Sequence, residues 1–577
     1  MSFLTIIDGM CIKNLFILII FHFTVSPIFG QVLTKDYFDK NVEIYLKLSD
    51  KNKSQLEWIN NHISLDHPKA DGIYAYANYD GYKFLIENEI KFEILKRPSM
   101  LKPIRVSDNI DSVMNWNVYP RYQTYLELMY KFASDYPNLC KVIDAGETIE
   151  GRKIIFAIIS DSVNSKENEP QVMYSSTMHG DETTGYVLML RLIDYLLKNY
   201  NSDSLSTKLV KNLEIWINPL ANPDGTYFVS DTTINGARRY NYFGYDLNRN
   251  FPDPVFGVNQ NEQLETKIMR GILEENNFVL SANFHGGVEV INYPWDRWEE
   301  GHPDSLWFAL ISRKYADTAQ TYSTKNYLVD YDNGITNGFK WTQIIGGRQD
   351  YQDYFNDGRE TTIELDATKT TPENELNDLW NFNYRSLLQY LEQSLFGLSG
   401  TVKDKNGLPL SAEIQISGDQ NYSTSVNADS NSGLFRKMLF PGEYKVIIVS
   451  DGFDSLEIEN VKISADSLTK LSIELDREGT TFVSDNGINS NRINLYQNYP
   501  NPFNPKTQIE FDLNTAQFIS IKIYDSIGNE LDTILDDFKA AGTHRIIFDA
   551  SDYPSGVYFY KLGYGKYSQV RKMILIK

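Results

Sequence analysis

Met178-His179-Gly180-Asp181-Glu182 sets an imidazole and a carboxylate three residues apart on the chain. The apolar run Val172-Met173-Tyr174 precedes them and the helical pattern Val187, Leu190, Ile193, Leu197 follows. That order predicts a strand-to-helix turn aiming both side chains at one point. His285 closes a second apolar run, Val279-Leu280-Ser281-Ala282-Asn283-Phe284, and is the natural third donor. Two imidazoles and a carboxylate suit a hydrolytic zinc, which takes three protein ligands and keeps a fourth position open for water. The pattern is not the helical HExxH of other zinc peptidases, and a His three residues before a Glu is by itself a common coincidence. The flanking residues are far less common.

Between the donors lie the turn Asn222-Pro223-Asp224-Gly225, the pair Arg238-Arg239, and Gly244-Tyr245-Asp246-Leu247-Asn248-Arg249-Asn250-Phe251-Pro252. After His285 come Gly286-Gly287, Asn292-Tyr293-Pro294-Trp295-Asp296, Gly346-Gly347-Arg348-Gln349-Asp350-Tyr351 and Thr362-Ile363-Glu364-Leu365. Glu364 resists a structural reading, because an unpaired carboxylate on an apolar strand is costly to bury. Arg238 reads as a solvated surface charge. In this order, over residues 115–395, the motifs resemble those of the zinc metallocarboxypeptidases, in particular the regulatory branch that includes carboxypeptidases N, E and D.

Carried onto this sequence, the resemblance implies one Zn2+ per catalytic domain, on His179, Glu182 and His285. Glu364 is then the general base that takes a proton from the attacking water and returns it to the leaving amine. Arg239 is the guanidinium that polarises the scissile carbonyl. Asn248 and Arg249 are the pair that grips the free terminal carboxylate of a peptide, for which a planar bidentate donor is apt. Asp246 accepts the other ring N–H of His179 and fixes its tautomer. Asp296, eleven residues beyond His285, falls at the floor of the pocket for the terminal side chain, and Gln349 joins it there. Their types imply a preference for terminal Arg or Lys. One position departs from the family, Thr342 standing where a substrate-capping tyrosine is usual, with Tyr351 as a neighbouring aromatic to replace it.

These residues need a scaffold, and the alternation of apolar strands with helical patterns predicts an α/β domain. By resemblance this is a mixed eight-stranded sheet with helices on both faces. At 577 residues the chain is too long for one domain. Residues 1–30 read as a secretory signal, with Lys13 before the apolar run Leu15-Phe16-Ile17-Leu18-Ile19-Ile20-Phe21. No later segment could form a stable transmembrane span. Residues 31–105 read as a small α+β unit whose position is similar to the activation propeptides of the family; a permanent accessory domain is the other reading. Residues 397–476 turn all-β and resemble the transthyretin-like domain that follows the enzyme in carboxypeptidases N, E and D. A polar linker, 477–491, leads to residues 492–577, where Tyr499-Pro500-Asn501-Pro502-Phe503-Asn504-Pro505 and alternating strands resemble the sorting β-sandwich of the type IX secretion pathway.

A formal charge of −21 argues against nucleic acid or anionic membranes as partners. With Cys11 inside the signal, Cys140 has no internal disulfide partner in the mature chain. The acidic residues are too dispersed to mark a calcium site. The expectation is a secreted or cell-surface zinc carboxypeptidase that reaches the outside through the periplasm and the type IX machinery. It would act on the C-termini of peptides or proteins. A cell-wall peptidase or amidase of the same fold, and a non-catalytic surface adhesin, are the competing readings.

Overall fold

The computed structural model describes residues 33–49, 53–66, 72–165, 167–419, 422–477, 494–513, 516–525, 529–564 and 567–577. The signal stretch and nearly all of the polar linker lie outside the described residues. The chain divides into two compact units, Met1–Val42 and Glu43–Lys577. The first shows a short helix, Lys35–Asn41.

In the second unit, a mixed sheet of eight strands carries the chemistry. In chain order these are β1 (Cys140–Glu147), β2 (Lys153–Ile159), β3 (Gln171–Ser176), β4 (Glu214–Asn218), β5 (Phe278–His285), β6 (Val288–Tyr293), β7 (Ile335–Asn337) and β8 (Glu360–Asp366). Across the sheet they run β7-β6-β8-β5-β3-β4-β2-β1. The four central strands, β8, β5, β3 and β4, are mutually parallel, while β2 pairs antiparallel with β4 and β6 antiparallel with β8. In such a sheet the crevice at the carboxyl ends of the parallel strands is the natural place for a ligand.

Strand β2 explains the helices on both faces. Ile155, Ala157 and Ile159 enter one apolar core, shared with helices Tyr122–Asp135, Thr184–Asn199, Ser305–Tyr322 and Leu376–Glu392. Ile154, Phe156 and Ile158 enter another, shared with helices Leu264–Glu275 and Arg348–Phe355. A strand buried on both faces reads as a continuous apolar run, as this one does. Each fully buried Leu, Ile or Phe contributes about 1.5–3 kcal/mol, so the two cores together fix the sheet.

Before the enzyme sheet stands a four-stranded antiparallel sheet in the order Ser64–Leu65, Ile73–Ala77, Ile44–Leu48, Phe92–Leu95. Helices Lys53–Asn60 and Tyr79–Glu87 accompany it. The run Phe84-Leu85-Ile86, too short for periodicity to assign, is helical because Asn78 caps the helix, its side chain accepting from Gly81 N at 2.9 Å.

After the enzyme come two pairs of β-sheets, one over residues 397–475 and one over 494–575, each around its own apolar core. The first is joined to the enzyme by a buried polar knot. Asp304, 1% exposed, pairs with Arg359 and accepts a hydrogen bond from Tyr422. Lys437 Nζ lies 3.7 Å from the same carboxylate. Arg359 immediately precedes β8, so the sandwich braces the strand that carries Glu364.

Candidate metal centre

Two structural devices bring the donors together. His179 and Glu182 lie on the turn between β3 and helix Thr184–Asn199. Gly180 is the only residue type that fits that turn, since an added Cβ would lie 2.4 Å from the Gly225 carbonyl carbon and 2.6 Å from the Arg238 oxygen. His285 is the last residue of β5 and stands in register with Glu364 on parallel β8. The sheet therefore supplies one imidazole and the carboxylate of Glu364 side by side, and the turn supplies the other two donors.

The three donor atoms converge closely. Glu182 Oε2 lies 3.0 Å from His179 Nδ1 and 2.8 Å from His285 Nδ1, and the two Nδ1 atoms are 3.0 Å apart. The other ring nitrogens decide what these atoms carry. His179 Nε2 faces Asp246 Oδ1 at 3.0 Å, and a carboxylate there requires the proton on Nε2. His285 Nε2 faces the Asn283 amide at 2.8 Å, while Asn283 Oδ1 is buried with no hydrogen-bond partner among the described residues. Turning that amide over satisfies the oxygen and places the proton on His285 Nε2 as well. Two nitrogen lone pairs and a carboxylate oxygen then face one another with no proton between them. A cation satisfies all three, so the donor set fits a divalent metal such as zinc.

Charge around the donors is balanced by two buried cations. Arg239 Nη1 donates to Glu182 Oε1 at 2.9 Å, and its Nε donates to Asp246 Oδ2 at 3.1 Å. Lys369 Nζ donates to the same Glu182 Oε1 at 2.8 Å. Burial alone would raise the Glu182 pKa, yet neighbouring positive charge, that of Lys369 included, holds it well below the usual carboxylate range. For Asp246 burial is likewise overcome, by Arg239 and His179. The outer oxygen of Glu182 is thus occupied by cations and the inner one is left for a metal.

A cavity of about 490 Å³ opens beside this centre, lined by Asp246, Arg249 and Tyr240 and by His62, Ser64 and Asn78 of the four-stranded unit. Arg249 donates to the Asn248 carbonyl at 3.0 Å, and its Nε has no hydrogen-bond partner among the described residues. Asn248 Oδ1 accepts from Arg348 N at 3.0 Å, which fixes the Arg249 turn against helix Arg348–Phe355.

Asp296 sits at 1% exposure with Gln349 and Asn292, whose amides donate to its Oδ1 at 3.0 and 2.9 Å. Burial pushes its carboxyl up to about 6, against the pull of Asn292 and Arg249. Asp350 accepts from the backbone N–H groups of Asp296 and Arg297 at 3.0 and 2.8 Å and so pins the segment. Gly338 packs directly against the Asp296 carboxylate, where an added Cβ would lie 1.8 Å from Oδ1.

Two expectations are corrected. Arg238 is not solvated but 4% exposed, stacked 4.3 Å over the Phe228 ring. Tyr351 does not face the site; it is buried between Phe251 and Phe355, and its hydroxyl donates to Glu274 at 2.8 Å. Helical geometry explains this, because Gln349 and Tyr351, two apart on helix Arg348–Phe355, point in different directions. Sequence reading missed Lys369, Asn283 and Asp350. Asn283 lies inside an apolar strand, Asp350 on a helix and Lys369 beyond the end of β8, and no spacing in the sequence links them to the donors.

The fold and site are those of a metallohydrolase built on a mixed α/β sheet. The zinc carboxypeptidase family model matches residues 125–386, and the model of the secretion system C-terminal sorting domain matches residues 497–577. Carboxypeptidase D of Mus musculus is 33% identical over 398 residues, 66% of this chain and 28% of that one. The carboxypeptidase N catalytic chain of Homo sapiens is 31% identical over 399 residues, 62% of this chain and 85% of that one. Among solved structures, thrombin activatable fibrinolysis inhibitor aligns at a TM-score of 0.46 and 16% identity, over 60% of this chain and 97% of that one. The chain spans little more than a quarter of carboxypeptidase D. It belongs to the zinc carboxypeptidase family, whose cofactor is Zn2+. Its tail marks it as a secreted or cell-surface protein. Among the described residues no helix is long and apolar enough to cross a membrane.

Proposed function

We propose that this protein is a zinc carboxypeptidase that removes terminal Arg or Lys from peptides and proteins outside the cell. His179, Glu182 and His285 hold the metal, which when bound activates water and polarises a carbonyl. The observation that carries the reading is the convergence of two imidazole nitrogens and a carboxylate oxygen within 3.0 Å of one another, beside Glu364 in register with His285. Glu364 takes the proton of the attacking water and delivers it to the leaving amine. Arg239 stabilises the negative charge that develops on the carbonyl oxygen. Arg249, with a donor to spare and Asn248 beside it, grips the terminal carboxylate. Asp296, held by Asn292 and Gln349 and packed against a residue with no side chain, Gly338, takes the basic side chain. A substrate cation would bring its carboxyl back to the charged form.

Residues 31–105 act as an inhibitory prosegment, a reading supported by contacts at the centre itself. Ser64 Oγ donates to Asp246 Oδ2 at 2.5 Å, and the Tyr76 hydroxyl donates to Asp181 at 2.7 Å. Arg239 lies 5.7 Å from the Tyr76 ring, so the group meant for the scissile carbonyl is covered. Residues 397–476 form a transthyretin-like brace and residues 492–577 are read by the secretion machinery.

The test uses the prosegment-free protein and matched peptides ending in Arg, Lys, Phe or Leu, with and without a zinc chelator, beside Glu364→Gln. Release of Arg and Lys that the chelator abolishes and Glu364→Gln lowers by at least about 100-fold is expected. Release of Phe and Leu alone would remove the role given to Asp296, and no release from any peptide would remove the activity.

A further inference from the structure

Lys369 does more than balance charge. It is 4% exposed and has three N–H donors. One goes to Glu182 Oε1, and Nζ also lies 3.1 Å from Asp66 Oδ1 of the four-stranded unit. The Tyr76 ring of the same unit covers it at 5.5 Å. The Asp66 carboxylate is aimed, its second oxygen accepting from the Tyr45 hydroxyl at 3.1 Å. On the enzyme side the lysine is equally fixed. Its backbone carbonyl accepts from Thr183 N at 3.0 Å, and a Cβ at Gly287 would come within 3.2 Å of Nζ.

Departure of the four-stranded unit would remove Asp66 and Tyr76 together. Lys369 would then face the opened cleft with only part of its charge compensated, which is unfavourable in a partly desolvated site. Its neighbours, Glu182, Gly287, Tyr76 and Asp66, are a different set from Asn248, Asp296 and Gln349 around the pocket for the terminal side chain. Lys369 therefore lies apart from that pocket, at the part of the metal centre that the four-stranded unit covers; a peptide whose terminal side chain fills the pocket must run away from it past the metal donors.

We propose that Lys369 forms a subsite for an acidic side chain at the penultimate position of the substrate, and that Asp66 fills this subsite as an intramolecular stand-in. The inference rests on the reading of residues 31–105 as a removable prosegment. The substrates favoured are peptides ending Glu-Arg, Asp-Arg, Glu-Lys or Asp-Lys.

The experiment compares peptides that differ only in Glu, Gln or Lys before a terminal Arg, using prosegment-free, zinc-loaded protein of measured zinc content. Hydrolysis is followed by kcat/KM, and binding to Glu364→Gln protein by calorimetry, which reports without turnover. Glu is expected to exceed Gln by about tenfold and Lys by more, the advantage shrinking as salt rises. In Lys369→Met the Glu and Gln peptides should become equivalent. Equal binding of the Glu and Gln peptides by wild-type Lys369 overturns the subsite, whether or not the variant folds. Hydrolysis of all peptides at one rate would overturn it while leaving the carboxypeptidase reading intact. A calorimetric preference for Glu without hydrolysis would support the subsite and sink the activity.

Discussion

Asn283 shows how much of a metal centre rests on residues that never touch the metal. With its amide turned so that the buried oxygen accepts, it holds the proton on His285 Nε2 and so frees Nδ1. Asn283→Leu keeps the size and loses the acceptor, and zinc affinity is expected to fall by about 10–100-fold, measured by competition with a chelating indicator. Asn283→Asp should recover most of the loss. At the pocket, Gly338→Ala pushes a methyl into Asp296 Oδ1, so the ratio of Arg to Leu release should fall at least about tenfold while Leu release changes little. An unchanged ratio would separate Asp296 from the choice of substrate. His179, Glu182 and His285 were legible in the sequence because a metal demands particular donor types beside particular strand ends. Asn283 was not, because inside an apolar run it reads as one more strand residue until the register aims it. Lys369 stands in Ala367-Thr368-Lys369-Thr370, which has no period at all; only the fold brings it back to Glu182.

At the scale of elements, the four-stranded unit is held down by a buried acid. Glu43 accepts from the backbone N–H groups of Arg239 and Tyr240 at 3.1 and 3.0 Å, and burial, with the nearby Asp181 charge, pushes its carboxyl up from 4.5 to about 7. A carboxyl raised in the folded state favours its protonated form. The stability it lends is therefore complete below pH 4.5 and is lost as pH rises through 7. Protease susceptibility of the full chain at residues 96–105 should increase from pH 5.5 to 8, and Glu43→Gln should flatten that dependence. Equal pH dependence in both proteins would clear Glu43 of the role. The helices and strands of the enzyme were largely legible, since 3.6-residue and doubly buried strand patterns survive any context. Periodicity decides nothing for Phe84-Leu85-Ile86: three apolar residues fit a strand or a helix face equally, and a cap six residues upstream chose the helix.

For the whole molecule, the knot around Asp304 ties the first β-sandwich to the enzyme. Removing one partner of a buried charge pair costs about 3–5 kcal/mol, so Asp304→Ala should lower the urea midpoint of the enzyme and the sandwich together. Separate transitions, with only one shifted, would mean that the two unfold independently. The zinc carboxypeptidase and sorting segments were legible from their motifs, but this coupling was not, because Asp304, Arg359, Tyr422 and Lys437 are scattered over more than a hundred residues.

That knot also bears on how such a protein can diversify. The tail packs around an apolar core of its own, which is what a segment carried by many different cargoes requires. The first sandwich is different, because Tyr422 and Lys437 complete a polar cluster whose other half lies under the catalytic strand. Recombination that exchanged it for a relative's sandwich would inherit a broken cluster unless both residues came along. On that physics the enzyme and its brace would travel as a single cassette, and the tail as an address label.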